Sequence, residues 1–324
     1  MTGYAQRIRP MKTQRELSAY RGWKQTVRVR WDGWELVAPL EVGPRVLRLG
    51  PVGGPNLFFE DPAQLGQTGG DSWKIYGGHR FWTAPENEDS YAPDNEPVAL
   101  KELGSDGFRL TGPANRTAGW QKSVALTWQE DGLIRLEHTL TNLRAEPLPQ
   151  TPWCLTVLAA DGSAFVPQPP FRPHPSELPP GQDFPMSDYL PNRNLVLWPF
   201  TSLSDPRISL GANLWRLDQR AGSRAFKIGF RHTEGWIGYQ LGDLFFAKWI
   251  QHDALASYPD RGSNAELFTN GDILEVESLA PDRPVPANGS VTHTEWWHVG
   301  RVSFSKQDHA AVLSYLHALP VPER

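Results

Sequence analysis

Residues 26–38 read Thr-Val-Arg-Val-Arg-Trp-Asp-Gly-Trp-Glu-Leu-Val-Ala, and this stretch indicates the fold class. Val27, Val29 and Trp31 alternate with two arginines, a period of two that predicts a half-buried β-strand. Asp32-Gly33 is a typical two-residue hairpin turn, and the apolar residues after it predict a second strand. The chain therefore opens its folded part with an antiparallel hairpin.

The same β rhythm continues along the chain. With 30 prolines and 29 glycines among 324 residues, long helices are disfavoured and short strands joined by turns are favoured. A helix is predicted near the end, with Ser305 as its N-cap and Asp308 at N3, before Pro320. Further strands are predicted at residues 46–49, 98–103, 107–111, 121–129, 133–142, 153–159, 195–199, 225–231, 236–240, 244–250, 265–268, 273–279 and 291–299.

These elements predict an all-β fold. About fourteen short strands and one terminal helix, without an internal repeat, are typical of one large antiparallel sandwich. We expect a polar N-terminal lead-in at residues 1–25, the sandwich domain at residues 26–303, and a C-terminal helix and tail at residues 304–324.

The composition argues against several classes of function. The net charge of −4 and the pI of about 6.1 offer no broad attraction for nucleic acid or an anionic membrane. No run of eighteen apolar residues is present, which argues against a membrane-spanning helix. No apolar segment follows the basic residues near the start, so we expect no signal peptide and a cytoplasmic protein. The single Cys154 cannot form an internal disulfide, and the sequence leaves the oligomeric state open.

Residues 76–96 are rich in potential ligand-binding and proton-transfer side chains. They read Tyr-Gly-Gly-His-Arg-Phe-Trp-Thr-Ala-Pro-Glu-Asn-Glu-Asp-Ser-Tyr-Ala-Pro-Asp-Asn-Glu. We predict a loop in which His79 transfers protons, Arg80 binds vicinal hydroxyls or a sugar carboxylate, and Trp82 stacks on a sugar ring. Glu86, the first of five carboxylates that follow, is predicted to bind the same ligand. The alternative is a rigid proline-rich loop whose aromatic residues fill the edge of the core and whose carboxylates face water. The fourteen tryptophans of the chain favour a carbohydrate ligand.

Three separate segments carry a family resemblance. They are Trp-Glu-Leu-Val through Gly-Pro-Arg-Val-Leu-Arg-Leu to Asn-Leu at residues 34–57, Leu-Thr-Asn-Leu through Pro-Leu-Pro to Trp at residues 140–153, and Leu-Glu-Val-Glu-Ser through Pro-Ala-Asn-Gly to Thr-Glu-Trp at residues 274–296. In this order and spacing they resemble the galactose mutarotase-like superfamily, which includes the aldose 1-epimerases. Gly-Gly-His-Arg-x-Trp-x-x-Pro-Glu at residues 77–86 is similar to its DUF4380-type bacterial branch.

The resemblance implies a galactose mutarotase-like β-supersandwich that acts on a mono- or oligosaccharide in a groove over the sheet, without a cofactor. The implied activity is that of an epimerase or mutarotase, in which one group takes the proton of the anomeric hydroxyl and another protonates the ring oxygen. Glu277 matches the family's catalytic base. Strand parity places Glu275 on the same face as Glu277, about 7 Å away. We take Glu275 and Glu266 as ligand-binding residues and as reserve candidates for the base; the alternative is that this strand face is simply solvated.

One position departs from the family pattern. Where an aldose epimerase carries the histidine that serves as its acid, this chain carries Trp153, which becomes a ligand-binding candidate. Either His79 supplies the acid, or the protein is a sugar-binding protein that has lost catalysis. A glycoside hydrolase or lyase is a third alternative, which would need an acid–base pair that the sequence does not identify.

The cluster of His293, Glu295 and His298 suggests a metal site at first. On a strand, however, His293 and Glu295 share one face while His298 points to the other, so the three side chains do not converge. We therefore predict no metal site here. The sequence also contains no Ser-His-Asp elbow, phosphate-binding loop or dinucleotide fingerprint.

Overall fold

The computed structural model describes residues 12–323, which form 21 strands, two short α-helices and three 3-10 helices. The α-helices are α1 (Pro259–Gly262) and α2 (His309–Ala318), and the 3-10 helices span Glu88–Tyr91, Pro175–Glu177 and Met186–Tyr189. The strands are, in chain order, β1 (Gln14–Tyr20), β2 (Trp23–Trp31), β3 (Trp34–Pro39), β4 (Arg45–Val46), β5 (Arg48–Pro51), β6 (Gly78–Ala84), β7 (Ala99–Glu102), β8 (Gly107–Thr111), β9 (Trp120–Trp128), β10 (Ile134–Asn142), β11 (Thr151–Leu158), β12 (Ser163–Pro167), β13 (Val196–Leu197), β14 (Ile208–Leu210), β15 (Leu214–Asp218), β16 (Phe226–Phe230), β17 (Trp236–Leu241), β18 (Leu244–Ile250), β19 (Ala265–Thr269), β20 (Leu274–Leu279) and β21 (Ser290–Arg301).

The strands form three sheets whose pairings are antiparallel throughout residues 12–323. A ten-stranded sheet has the order β14-β15-β12-β17-β18-β21-β10-β9-β8-β7. A seven-stranded sheet has the order β13-β16-β19-β20-β11-β6-β4, and a four-stranded sheet the order β1-β2-β3-β5. The predicted all-β sandwich is confirmed.

The two larger sheets enclose the main hydrophobic core. Phe81 and Cys154 of the seven-stranded sheet belong to the same buried cluster as Leu136 and Trp297 of the ten-stranded sheet. The sides that face each other are called the inner faces below. The other side of the seven-stranded sheet is called its outer face.

The predicted opening hairpin is present as β2 and β3. Trp31 and Trp34 pair across the turn, and Asp32 and Gly33 both have positive φ, at 42° and 81°. Two positive φ values in a two-residue loop match the right-handed twist of the strands that the loop joins. The alternation in β2 therefore identified the strand correctly from its sequence.

Strand β1 lies inside the stretch that the sequence presents as a polar lead-in. It pairs with β2 at the edge of the four-stranded sheet, and Leu17 in it is 62% exposed. An edge strand that faces solvent on one side and along its edge needs few apolar residues, so its sequence resembles a loop. Residues 1–11 of the predicted lead-in lie outside the described residues.

The segment predicted as a ligand-binding loop at residues 76–96 begins instead as a strand. Strand β6 lies between β4 and β11, and all seven of its residues are buried. A strand that is covered on both faces has no reason to alternate, which is why its sequence lacks the period of two. At the start of this strand the backbone of β6 lies very close to that of β4. Only a glycine fits at position 78, because φ is 69° and a Cβ there would lie 2.0 Å from the Val46 carbonyl oxygen.

The terminal helix α2 packs on the side of the ten-stranded sheet that faces away from the core. Val312 and Leu316 pack there in one cluster with Phe245 and Trp296. Its N-cap is Asp308, whose side chain accepts a hydrogen bond from the Ala311 amide, so the predicted N-cap at Ser305 was three residues too early. Within residues 12–323, no helix is long and apolar enough to cross a membrane.

Candidate functional site

Strand β6 separates two polar clusters. Neighbouring residues of a strand point to opposite faces, so His79 faces the core while Arg80 and Trp82 face outward. His79 and Arg80, which the sequence places together in one loop, therefore lie on opposite sides of a sheet. His79 is buried between the two large sheets, where it cannot contact a ligand bound beside Arg80.

The inner cluster contains a chain of hydrogen bonds that fixes its histidine tautomers. His138 Nδ1 lies 3.3 Å from the His293 carbonyl oxygen, which can only accept, so Nδ1 donates and Nε2 is bare. His79 Nε2 lies 2.7 Å from that bare nitrogen and donates to it. His79 Nδ1 then accepts from the Thr156 hydroxyl at 2.9 Å. The imidazole rings of His79 and His138 are therefore both neutral. Burial lowers the pKa of His138 to about 4.

Glu295 provides the negative charge of this cluster. Its carboxylate pairs with Lys248 at 2.9 Å and accepts hydrogen bonds from Trp297 Nε1 and from the Ser278 hydroxyl. Ser278 in turn accepts from His293 Nε2 at 2.8 Å. Burial is the largest influence and would raise the pKa of Glu295, but Lys248 and the neighbouring His79, His138 and His293 together hold that pKa well below its usual range. The side chains that form these contacts are called the inner network: His79, His138, Thr156, Lys248, Ser278, His293, Glu295 and Trp297.

The inner network also contains groups with metal-ligating chemistry. Among the described residues, His79, His138 and Glu295 place their ligand atoms within 4.8 Å of one another, and Cys154, His293 and Glu295 do the same. Lys248 already neutralises Glu295, and the two histidine Nε2 atoms are bonded to each other. These are the contacts of a satisfied hydrogen-bond network, and we assign it a structural role.

Several charged groups lie on the outer face of the seven-stranded sheet. Three of them stand in one row across the strands: Arg80 of β6, Glu277 of β20 and Glu266 of β19. Leu155 of β11 lies between Arg80 and Glu277 and pairs with both, and Glu277 pairs directly with Glu266. Glu275 lies on the same face of β20, as its parity predicts, and Lys227 of β16 completes the group. All five are buried, and they are called the outer-face cluster.

Two ion-pair systems connect this cluster. Arg80 Nη2 lies 3.0 Å from Glu275 Oε1. Lys227 Nζ lies 2.7 Å from Glu266 Oε2 and 3.2 Å from Glu277 Oε2, so one ammonium bridges two carboxylates. Burial raises the pKa of Glu266 well above its ordinary value, and it raises the pKa of Glu275 to about 7 although Arg80 acts in the opposite direction.

Aromatic rings surround both cations. The Arg80 guanidinium lies 4.7 Å from the ring centre of Trp82 and 5.2 Å from that of Trp73. Lys227 Nζ lies 4.6 Å from Trp153 and 4.7 Å from Trp198. The half-buried Trp73 and Trp198 are the outermost of these rings. This arrangement combines donors, acceptors and flat apolar faces in one place.

Trp153 has a second role at this site. Its Nε1 donates a hydrogen bond of 2.9 Å to Glu277 Oε2. It lies beside Trp82 across the β11–β6 pairing, with ring centres 5.5 Å apart. The tryptophan at the position of the expected histidine therefore holds the carboxylate that the sequence identifies as the catalytic base.

Unpaired polar atoms distinguish the outer-face cluster from the inner network. Within residues 12–323, Arg80 Nε and Nη1, Glu277 Oε1 and Glu266 Oε1 are buried without a hydrogen-bond partner, whereas the inner network has no such atom. A buried polar group left unpaired costs roughly 1–3 kcal/mol. A ligand with hydroxyl groups would satisfy these atoms, so the outer face is the candidate binding site.

Glu86 lies apart from this arrangement. It is an exposed residue of the segment after β6, and its carboxylate accepts a hydrogen bond from the Tyr91 hydroxyl. The Tyr91 ring packs edge-on against Trp82, with ring centres 4.8 Å apart. Glu86 is thus linked to Trp82 only through Tyr91, and its own side chain does not reach the outer face of the sheet.

Lys227, Trp73 and Trp198 were not among the residues predicted for the site. Lys227 had a detectable signal, because it is a single lysine within the apolar run Phe-Lys-Ile-Gly-Phe of β16. A buried lysine needs a carboxylate partner, and that partner could not be named without the pairing of β16 with β19. The two tryptophans come from segments that carry no comparable pattern.

A cleft of about 300 Å³ near Pro44, Asp94 and Lys122 is a weaker candidate. Asp94 already accepts two hydrogen bonds from Arg45, both 2.6 Å long. Lys122 Nζ donates to the Phe81 carbonyl oxygen at 3.0 Å. Asp94 and Lys122 of this cleft therefore have partners within the protein.

Comparison with known proteins identifies the fold. No protein-family model and no curated protein sequence matches the chain. Among solved structures, a galactose mutarotase-like protein from Lactobacillus casei has a TM-score of 0.52 at 10% identity, covering 85% of this chain and 100% of that one. A galactose mutarotase related enzyme from Lactobacillus acidophilus has a TM-score of 0.50 at 10% identity, covering 90% and 100%.

A third structure is larger than this chain. A TPR-domain containing protein from Parabacteroides distasonis has a TM-score of 0.56 at 10% identity, and the match covers 92% of this chain. The chain spans about half of that protein, because the match covers 49% of it. Together these similarities show that the chain has the galactose mutarotase-like fold.

Proposed function

We propose that the chain binds a mono- or oligosaccharide at the outer-face cluster and acts on it as an aldose epimerase-like or mutarotase-like isomerase. The observation that carries this proposal is the set of buried, unpaired donors and acceptors between tryptophan rings. Sugar hydroxyls both donate and accept hydrogen bonds, and the C–H faces of a sugar ring pack on indole rings. The fold shared with galactose mutarotase-like proteins supports the same conclusion.

The charges of the cluster favour a neutral sugar. Arg80 is already paired with Glu275, and Lys227 is paired with both Glu266 and Glu277. An anionic sugar would add a further negative charge to a group that already has more carboxylates than cations. A neutral sugar satisfies the unpaired atoms without adding charge.

Glu277 is the residue we assign as the base. Its Oε2 is held by Trp153 and Lys227, while its buried Oε1 has no partner in the described part of the chain. One oxygen is thus fixed, and the other is left to take the proton of an anomeric hydroxyl. A sugar would reach it past Trp73 and Trp198, the half-buried rings over Arg80 and Lys227.

The role proposed for His79 changes with its position. In the sequence-based hypothesis, His79 protonates the ring oxygen while Glu277 removes the proton of the anomeric hydroxyl. His79 belongs to the inner network and Glu277 to the outer face, so the sheet separates them. We therefore propose that the acid is another group on the outer face.

The test is a measurement of anomer exchange. Binding of a panel of aldoses would be measured by calorimetry, and exchange between their anomers by NMR, for the wild type, Glu277→Gln and the exposed control Glu130→Gln. We expect acceleration by the wild type and by Glu130→Gln, and loss of acceleration in Glu277→Gln with binding retained. A wild type that binds a sugar but accelerates no exchange would end the isomerase proposal.

A second function is favoured by one observation. Trp153 occupies the position of the expected histidine and donates to Glu277, which a purely sugar-binding protein could use to fix a hydroxyl acceptor. In that case, the same calorimetry would show binding that Glu277→Gln weakens, without any exchange. The resemblance of residues 77–86 to the DUF4380-type branch is compatible with both functions.

A further inference from the structure

We infer that Glu266 and Glu277 form an acid–base pair that shares one proton, with Glu266 as the acid that protonates the ring oxygen of the sugar. This inference rests on the proposed isomerase function and names the acid that function requires. It assigns to a second glutamate the task that a histidine would otherwise perform.

The first argument is the charge balance of the outer-face cluster. It contains three carboxylates, Glu266, Glu275 and Glu277, and two cations, Arg80 and Lys227, and none of the five is more than 6% exposed. An uncompensated charge at such depth is strongly unfavourable. Glu86 and Asp260 add further negative potential nearby. One of the three carboxyl groups must therefore hold a proton.

The hydrogen bonds indicate which group holds it. Arg80 compensates Glu275 at 3.0 Å. Glu277 Oε2 receives two donors, Lys227 Nζ at 3.2 Å and Trp153 Nε1 at 2.9 Å, which stabilise it as an anion. Glu266 lies closer to the same ammonium, with Oε2 at 2.7 Å, but it has no second donor among the described residues, so we assign the proton to Glu266. Its burial favours the neutral form in the same direction.

The geometry allows both carboxyl groups to act on one sugar. Glu266 and Glu277 are direct cross-strand partners of β19 and β20, so their Cβ atoms lie about 5 Å apart on one face. Their Oε2 atoms contact the same Lys227 Nζ, and both Oε1 atoms are unpaired. The pair thus presents one accepting oxygen and one donating hydroxyl side by side.

The reaction balances within this pair. Glu277 Oε1 takes the proton of the anomeric O1–H, the electrons of that bond form the C1=O1 double bond, and the bond from C1 to the ring oxygen breaks. The ring oxygen takes the proton of Glu266 and becomes a hydroxyl. Rotation about C1–C2 presents the other face of the aldehyde. The ring hydroxyl then attacks C1, returning its proton to Glu266, while O1 takes the proton from Glu277.

The test combines an infrared measurement with anomer exchange. The carbonyl stretch of a protonated carboxylic acid would be recorded at about pH 8, above the pKa of about 7 of Glu275. The proteins are the wild type, Glu266→Gln, Glu277→Gln and the exposed control Glu130→Gln. We expect the band in the wild type and in the control. We expect loss of the band in Glu266→Gln, because the protonated group is removed. We also expect its loss in Glu277→Gln, because Glu266 then becomes the only carboxylate partner of Lys227 and should ionise.

The kinetic result separates this inference from the proposed function. Glu266→Gln should bind the sugar but exchange its anomers at least about 100-fold more slowly, the usual contribution of a general acid. If Glu277→Gln abolishes exchange while Glu266→Gln keeps the wild-type rate, the pair is refuted and the isomerase stands. If the wild type accelerates no exchange, the isomerase itself fails. Should Glu266→Gln not fold, absence of the band from the wild type would still refute the shared proton.

Discussion

Replacement of Lys248 by methionine should strongly destabilise the fold. Lys248 is fully buried, its Nζ pairs with Glu295 at 2.9 Å, and it donates to the carbonyl oxygens of Val276 at 3.1 Å and Cys154 at 3.3 Å. Methionine keeps most of the side-chain volume but leaves Glu295 as a buried charge without its cation. Removing one partner of a buried ion pair costs about 3–5 kcal/mol, and we expect a loss of that size.

Equilibrium unfolding in urea measures this loss as a change in midpoint at constant slope. The double variant Lys248→Met/Glu295→Gln should recover part of it, because the amide carries no charge. The exposed Lys101→Met is the matched control, with an expected change within about 0.5 kcal/mol. A loss below about 1 kcal/mol in Lys248→Met, or a double variant no more stable than the single one, would refute the charge-compensation argument.

Three further predictions concern acid stability, the candidate base and the start of β6. Burial lowers the pKa of His138 to about 4, so the folded state does not take the proton that the unfolded chain binds below about pH 6.5. As the pH falls from about 6.5 to about 4, His138 alone should lower the free energy of unfolding by about 3 kcal/mol, and His138→Gln should remove that part of the fall in urea midpoints. Trp153→Phe removes the donor that holds Glu277 Oε2 in place, so anomer exchange measured by NMR should slow. Gly78→Ala should prevent folding or cost several kcal/mol, while Gly132→Ala, with φ of 88° and no atom within 4 Å of its Cβ, should cost about 1–2 kcal/mol by thermal unfolding.

The fold class and most of the strands could be predicted from the sequence. The hairpin of β2 and β3 alternates and has a positive-φ turn, so its sequence identifies both strands. Strand β6 was not predicted, because its residues carry the chemistry expected of a loop, whereas the equally buried β11 and β20 were predicted. The strands β12, β14 and β15 were missed as well, and none has more than five residues.

The candidate site could be predicted in part. Strand parity correctly placed Glu275 and Glu277 on one face, since parity depends only on neighbours along the chain. The bridge from Lys227 to Glu266 depends on which strands pair, and that information is distributed over the whole sheet. The pairing of His79 with Arg80 was wrong because a loop was assumed where a strand sends the two side chains apart.

The position of β6 has a consequence for selectivity. On the inner face, His79 of β6 is hydrogen-bonded to His138 of the ten-stranded sheet. Under the proposed function, the part of the sheet that contacts a bound sugar is therefore rigid, because moving it would break hydrogen bonds in the core. Trp73 and Trp198, which lie over the two cations of this sheet's outer face, are half-buried and partly exposed to solvent. Sugars that differ in the hydroxyls facing the sheet should therefore be discriminated sharply, whereas changes on the opposite ring face, including attached residues, should be tolerated.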